Sequence, residues 1–313
     1  MRGSPRIEFD YYIAPDGLVY SFDDAAGRWL ESFTGDGLPP IEYRTERGPF
    51  QDGETVLDWV LRPRVIQYVH KRRQGSRSAY WDARADLLNH IRPNRQLVAG
   101  GRQPGVLRKI LPNGATRDLY VLIEAGPRFE PREPERLDEF GISETLRFIA
   151  HDPVFFDPDE HSVTFAAVTF PHLVFPVTLV PGDDMVFAMG TVIDTANIAY
   201  VGTWASLPII EITGPAQQPR IENLTTGELL WMSYMVPAGR VVTINLAYGL
   251  KTVEDDLGNN LVGTLTSDSD LATFHLAPDP EAPGGVNQIE AQFGAAGAGS
   301  QIRVRWMDRY IGI

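Results

Sequence analysis

The stretch Leu61–Arg95, LRPRVIQYVHKRRQGSRSAYWDARADLLNHIRPNR, passes from an apolar run through six cations into a helical pattern. Tyr80, Ala83, Leu87, Leu88 and Ile91 recur at three- and four-residue spacing, Ser78 is placed to cap free amides, and Pro93 stops the run. This predicts a helix over Ser78–Ile91 with one apolar face packed on a sheet. Upstream, Thr55–Leu61 and Arg64–His70 read as two strands separated by Pro63. A basic run before a helix is also what a nucleic-acid contact looks like. A helix-turn-helix reader, however, needs a second helix, and only one stands out nearby.

Composition weighs against nucleic acid too. The 313 residues carry a formal net charge of −13, whereas a phosphate-wrapping protein needs unopposed cations. Up to Asp157 there are 22 Lys and Arg against 24 Asp and Glu, and beyond it 6 against 17, so the second half holds nearly all the net negative charge. With 43% hydrophobic residues the chain has material for two cores. There is no cysteine, which excludes disulfides, thiolate metal sites and cysteine nucleophiles. No apolar run is long enough for a membrane span, and the opening MRGSPRIEFDYYIAPDG does not read as a signal peptide.

The charge change coincides with HDPVFFDPDEHS, His151–Ser162, where two Asp-Pro pairs favour extended or turn backbone. We therefore expect one domain over 1–157 and another over 158–313. In the first, Tyr11–Ile13, the turn Ala14–Gly17 and Leu18–Phe22 form a hairpin pattern. Pro112–Gly114 marks a second turn, before an apolar strand over Arg117–Glu124. The second half is β throughout. Val242, Ile244, Leu246 and Tyr248 alternate with polar or small residues, as do Ile302, Val304 and Trp306, which predicts a β-sandwich.

The search for chemistry finds little. His151, Asp152, Asp157, Asp159, Glu160 and His161 are ligand types, yet they lack metalloprotease spacing and the prolines favour a turn role. Asp268-Ser269-Asp270 lacks the glycine and glutamate of a calcium loop. Asn223-Leu224-Thr225 matches a glycosylation sequon. Phosphate loops, the GxSxG elbow and kinase signatures are absent. Trp204, Trp231 and Trp306 are either a sugar-stacking platform or core.

Several segments, in order, resemble the siphovirus-type distal tail protein family. They are GPFQDGETVLDWVLRPRVI (Gly48–Ile66), LLNHIRPNR (Leu87–Arg95), LRKILPNGATRDLYVLIEAG (Leu107–Gly126) and FIAHDPVFFDP (Phe148–Pro158). VGTWASLPIIEITGPAQQPRIENLTTGELL (Val201–Leu230) and GGVNQI (Gly284–Ile289) continue the likeness, while NIAYVGT (Asn197–Thr203) departs from the family's compact Asn-x-Gly-Thr.

The resemblance implies a mainly β protein with an N-terminal β-barrel-like domain carrying one packed α-helix and a C-terminal galectin-like β-sandwich. It further implies a non-enzymatic virion component without cofactor or metal, assembled in the host cytoplasm. A homohexameric ring would join the tail tube protein to the tip or baseplate hub protein, meet receptor-binding proteins, and let DNA pass through its lumen. Under this reading Arg62, Arg64, Arg72, Arg73 and Arg77 are candidate subunit contacts, and Arg64→Glu or Arg72→Glu is expected to hinder the ring while sparing the fold. A carbohydrate-binding adhesin is the alternative, and a polysaccharide-acting enzyme a third.

Overall fold

A computed structural model describes residues 9–22, 28–93, 97–98, 101–130, 140–167 and 192–313. The protein is mainly β and resolves into two compact units, Met1–Pro158 with Arg309–Ile313, and Asp159–Asp308. The return of the last five residues to the first unit is an excursion that a linear division at residue 157 does not contain. Among the described residues, no helix is long and apolar enough to cross a membrane.

The first unit begins with β1 (Phe9–Ile13) and β2 (Val19–Ser21), whose turn closes through the Gly17 amide and the Ala14 carbonyl at 2.8 Å. Gly17 has φ 84°, a left-handed position that glycine adopts without strain. β3 (Arg28–Thr34) follows, then the hairpin β4 (Ile41–Glu46) and β5 (Thr55–Leu61), and β6 (Arg64–Gln74). After α1 (Arg77–Ile91) and the short β7 (Leu97–Val98) and β8 (Gly101–Arg102) come β9 (Gly105–Ile110), β10 (Thr116–Glu130), β11 (Phe140–Ala150) and β12 (Phe155–Ala166).

β10 is the bend of the unit. Its first half pairs with β9 and its second half with β11, giving the antiparallel series β2-β1-β9-β10-β11-β6-β3. Among the described residues that series is an open sheet and no closed barrel forms. Its concave side buries Tyr12, Phe22, Tyr68, Leu119, Leu146 and Phe148. Phe22 stacks on Tyr68 with ring centroids 4.4 Å apart. Leu87 and Ile91 carry α1 into the same core.

The helix starts one residue earlier than its periodicity predicts. Ser76, not Ser78, is the N-cap: its backbone is extended and its Oγ accepts the Ala79 amide at 3.2 Å. Tyr80, Leu87 and Ile91 are buried as expected, but Leu88 is 41% exposed. The stretch before it also differs, because β6 runs on to Gln74 and carries Lys71, Arg72 and Arg73 in a strand instead of a loop.

The second unit is built from β13 (Val192–Ala199), β14 (Ile209–Thr213), β15 (Ala216–Gln217), β16 (Arg220–Asn223), β17 (Glu228–Trp231), β18 (Met235–Val236), β19 (Val241–Asn245), β20 (Thr252–Asp255), β21 (Val286–Phe293), β22 (Ala295–Ala296) and β23 (Gln301–Tyr310). One sheet runs β23-β14-β19-β20, another β13-β21-β16-β17, with a small third sheet β18-β15-β22. Strict alternation turns Ile210, Ile212, Val242, Ile244, Ile302 and Val304 inward from the first sheet. Ile221, Leu230, Ile289 and Phe293 come inward from the second, and all join one core. Burying each such side chain contributes about 1.5–3 kcal/mol. Tyr248, expected on the inner face, lies beyond the end of β19 and is 67% exposed.

Candidate assembly surface

The six cations of the opening stretch do not form one patch. Strand alternation in β6 places Arg64 in register with Ile66, Tyr68 and His70, which all face the core. Arg64 is only 1% exposed. Its Nε donates to the Pro153 carbonyl at 2.7 Å, its Nη1 to Gly35 and Gly37 at 2.7 and 2.6 Å, and its Nη2 to Ile311 at 2.5 Å. The guanidinium also lies 4.7 Å from the Phe155 ring centroid. Burial lowers its pKa to about 10, with Asp36 pulling the other way, so the group is charged at neutral pH.

Arg64, expected as a subunit contact, is thus an internal fastener of three loops in its own unit, with almost none of its surface exposed. The signal was present in the sequence, since Arg64, Ile66, Tyr68 and His70 share one side of a period-two pattern. Further along that side, His70 and Glu144 are both fully buried and pair at 2.6 Å.

The remaining candidates have separate fates. Arg62 sits just after β5, more than half exposed, and pairs with Glu42 of β4. Arg72 and Arg73 have backbone places in β6, opposite Ile142 and Gly141 of β11; their side chains lie outside the described residues, as do Asn94 and Arg95. Arg77 is exposed at the first position of α1. Lys71, between these, pairs with Glu31 at 2.5 Å.

An exposed apolar surface lies on the β4–β5 hairpin. These two strands pair only with each other among the described residues, with Tyr43 opposite Trp59 and a bulge between Arg44 and Thr45. Tyr43, Val56, Leu57 and Trp59 are all exposed, Leu57 at 62% and Trp59 at 47%. A lone two-stranded ribbon is marginal in water, and a contiguous exposed apolar patch marks a contact surface.

At the hairpin tip, Gly48-Pro49-Phe50-Gln51 forms a turn closed by the Gln51 amide to the Gly48 carbonyl at 3.2 Å. The Gln51 side chain holds the loop, accepting from the Gly48 amide at 2.9 Å and donating to Thr55 Oγ1 at 2.9 Å. Phe50 occupies the third turn position with φ 62° and is fully exposed. Glycine or asparagine normally stands there, because a β-carbon is strained at positive φ. A rigid turn therefore displays an aromatic ring in water at a local conformational cost. Sequence reading missed this surface because the apolar run Val56-Leu57-Asp58-Trp59-Val60-Leu61 is equally what a strand with both faces covered shows.

In the second unit the motifs of the resemblance converge on structure rather than chemistry. Asn223 and Asn287 are both fully buried and joined, Nδ2 to Oδ1, at 3.1 Å. Asn287 also bridges the Ala277 amide at 2.8 Å, the Ala277 carbonyl at 2.9 Å and the Gly285 carbonyl at 3.2 Å. Asn223 donates to the His275 carbonyl at 2.9 Å and accepts the Thr225 amide at 3.1 Å. The Gly285 carbonyl in turn accepts the Tyr200 amide at 2.9 Å. In this fold Asn223 is a buried polar hinge pin, not a glycan acceptor.

The acids around the boundary segment are engaged by arginines: Asp152 by Arg309 at 2.5 Å, Asp157 by Arg117 at 3.0 Å, and Glu160 by Arg305 at 2.8 Å. Among the described residues, no group of three or more metal-ligating side chains is gathered. Asp270 and Ser269 accept the Leu229 and Trp231 amides, a turn role. Trp306 packs against the core beside His161, and Trp231 is 36% exposed on β17.

These features define a class by fold: an open β-sheet unit with one packed helix and a projecting hairpin, followed by a β-sandwich unit. No protein-family profile and no curated protein sequence matches the chain. Among solved structures, the Dit (gp 19.1) protein of phage SPP1, described as a paradigm of the hub adsorption apparatus in phages infecting Gram-positive hosts, is similar at a TM-score of 0.62 and 13% identity. That likeness covers 97% of this chain and 99% of that one. The baseplate of phage p2 in its activated conformation with strontium contains a chain similar at a TM-score of 0.47 and 10% identity, covering 96% of this chain and 98% of that one. The resemblance to distal tail proteins read from the sequence is borne out at the level of fold.

Proposed function

We propose that this protein is a distal tail hub, a structural component of a phage virion. The first unit closes into a hexameric ring between the tail tube protein and the tip or baseplate hub protein. DNA passes through its lumen, and the galectin-like second unit is directed to tail-tip or receptor-binding partners. The observation that carries the reading is the shared fold with the SPP1 hub protein over 97% of the chain. The β4–β5 hairpin supports it, because its exposed apolar residues call for a partner. A ring needs each subunit to offer two different patches to its neighbours, and the rotation between them closes the assembly.

Native mass measurement with electron microscopy tests this. Six chains of 34.8 kDa give about 209 kDa and a ring with a central hole. Phe50→Gly is expected to weaken assembly at least tenfold while leaving the monomer folded, since glycine suits φ 62°. A chain that is monomeric at micromolar concentration, alone and with tube protein, overturns the proposal.

A further inference from the structure

The hairpin needs a receiving surface, and α1 has one. At 100° per residue, Arg77, Trp81, Arg84 and Leu88 fall within about 60° of the helix circumference. Trp81 is 51% exposed and Leu88 41%, while Tyr80, Leu87, His90 and Ile91 face the unit's own core. Arg84 lies over the Trp81 ring, 5.0 Å from its centroid, making a flat pad that is apolar and cationic at once. The helix's two acids, Asp82 and Asp86, lie on the other flank, and Asp86 is taken up by His90 at 3.3 Å.

The hairpin has the opposite character. Between Ile41 and Leu61 there are five acids, Glu42, Glu46, Asp52, Glu54 and Asp58, against two cations, Arg44 and Arg47, interleaved with the exposed Tyr43, Leu57 and Trp59. Acidic-apolar against basic-apolar is a complementary pair of surfaces, and both belong to the first unit of one chain.

The geometry points to a head-to-tail contact between copies of this chain, in which the β4–β5 hairpin of one protomer docks on the outward Arg77-Trp81-Arg84-Leu88 stripe of α1 in the next. This rests on the ring reading above and names its interface. The two surfaces differ, so the contact is heterologous and each protomer uses its own hairpin forward and its own helix backward. Aromatic and arginine side chains at the centre, with charged residues around them, are the usual anatomy of such an interface.

The chain has no cysteine, so introduced thiols are the sole reactive pair. The double variant Leu57→Cys with Leu88→Cys changes two exposed positions. Treated with a short bismaleimide, it is expected to give a ladder of covalent species ending at six, whereas either single variant gives none. Arg84→Glu is expected to raise the concentration for half-assembly at least tenfold. Rings that form normally but yield no ladder, together with unaltered assembly of Arg84→Glu, refute this contact and leave the ring standing. Cross-linked dimers from one single variant refute it in favour of a symmetric contact. A wild-type chain that never assembles overturns both proposals.

Discussion

Arg64→Met removes a fastener from the first unit without leaving a charge behind. The loss falls on four backbone carbonyls, those of Gly35, Gly37, Pro153 and Ile311, each of which now accepts from the guanidinium at 2.5–2.7 Å. At about 1 kcal/mol for each orphaned acceptor, taken as additive, the destabilisation is on the order of 4 kcal/mol. Release of the buried cation offsets part of this, and methionine recovers some packing against Phe155. An effect of that size is a large share of a domain's 5–15 kcal/mol, roughly, and moves the midpoint on the order of 10 °C for a unit this long.

Hydrogen exchange read by mass spectrometry localises the effect. Peptides covering residues 35–37 and 309–313 are expected to lose protection by about a thousandfold, matching 4 kcal/mol at 1.4 kcal/mol per factor of ten. Peptides of the second-unit sandwich keep theirs. Arg64→Lys is expected to fall between, because an ammonium cannot reproduce the planar fork. If Arg64→Met abolishes assembly while those peptides exchange as in the wild type, the residue is an interface group after all and the internal reading fails.

Three further outcomes follow from the same geometry. Ser76→Ala is expected to lower stability by about 1 kcal/mol in urea unfolding, with Ser78→Ala near zero, because only Ser76 caps α1. Asn287→Ala removes the side-chain partner of the Ala277 amide and of the Ala277 carbonyl and takes one of the acceptors of the Asn223 amide, and is expected to cost about 3 kcal/mol, read as a lowered sandwich transition. The side-chain amide of Asn259, then the Asn259 and Leu257 amides and Arg240, hold the Asp255 carboxyl below its ordinary 3.8 against some desolvation. Its stabilising contribution is therefore fully present above pH 3.8 and lost as pH falls through the lower folded value, so Asp255→Asn lowers the sandwich's stability near neutrality and flattens the acid limb of its pH–stability curve.

Local pattern was sufficient wherever one face of an element met one core. The Ala14–Gly17 and Pro112–Gly114 hairpins, the helix ending before Pro93, and the inward faces Val242-Ile244 and Ile302-Val304 all follow from turn chemistry and periodicity. These depend on neighbours within a few residues. The order of quoted motifs also carried the likeness to distal tail proteins, although what Asn223 and Asn287 do became visible only when β16 and β21 brought them together across 64 positions.

Charge and exposure were decided by tertiary structure. A run of six cations looks uniform along the chain, yet β6 begins at Arg64 and turns it inward, where carbonyls from three distant loops enclose it, while Arg62 lies outside the strand, before Pro63, and faces water. Likewise the Val56–Leu61 run reads as buried, because apolar residues on both sides of a strand ordinarily have layers on both sides. The pairing of β5 with β4 alone, among the described residues, leaves Leu57 and Trp59 exposed instead, and these are the side chains on which the proposed contact is built.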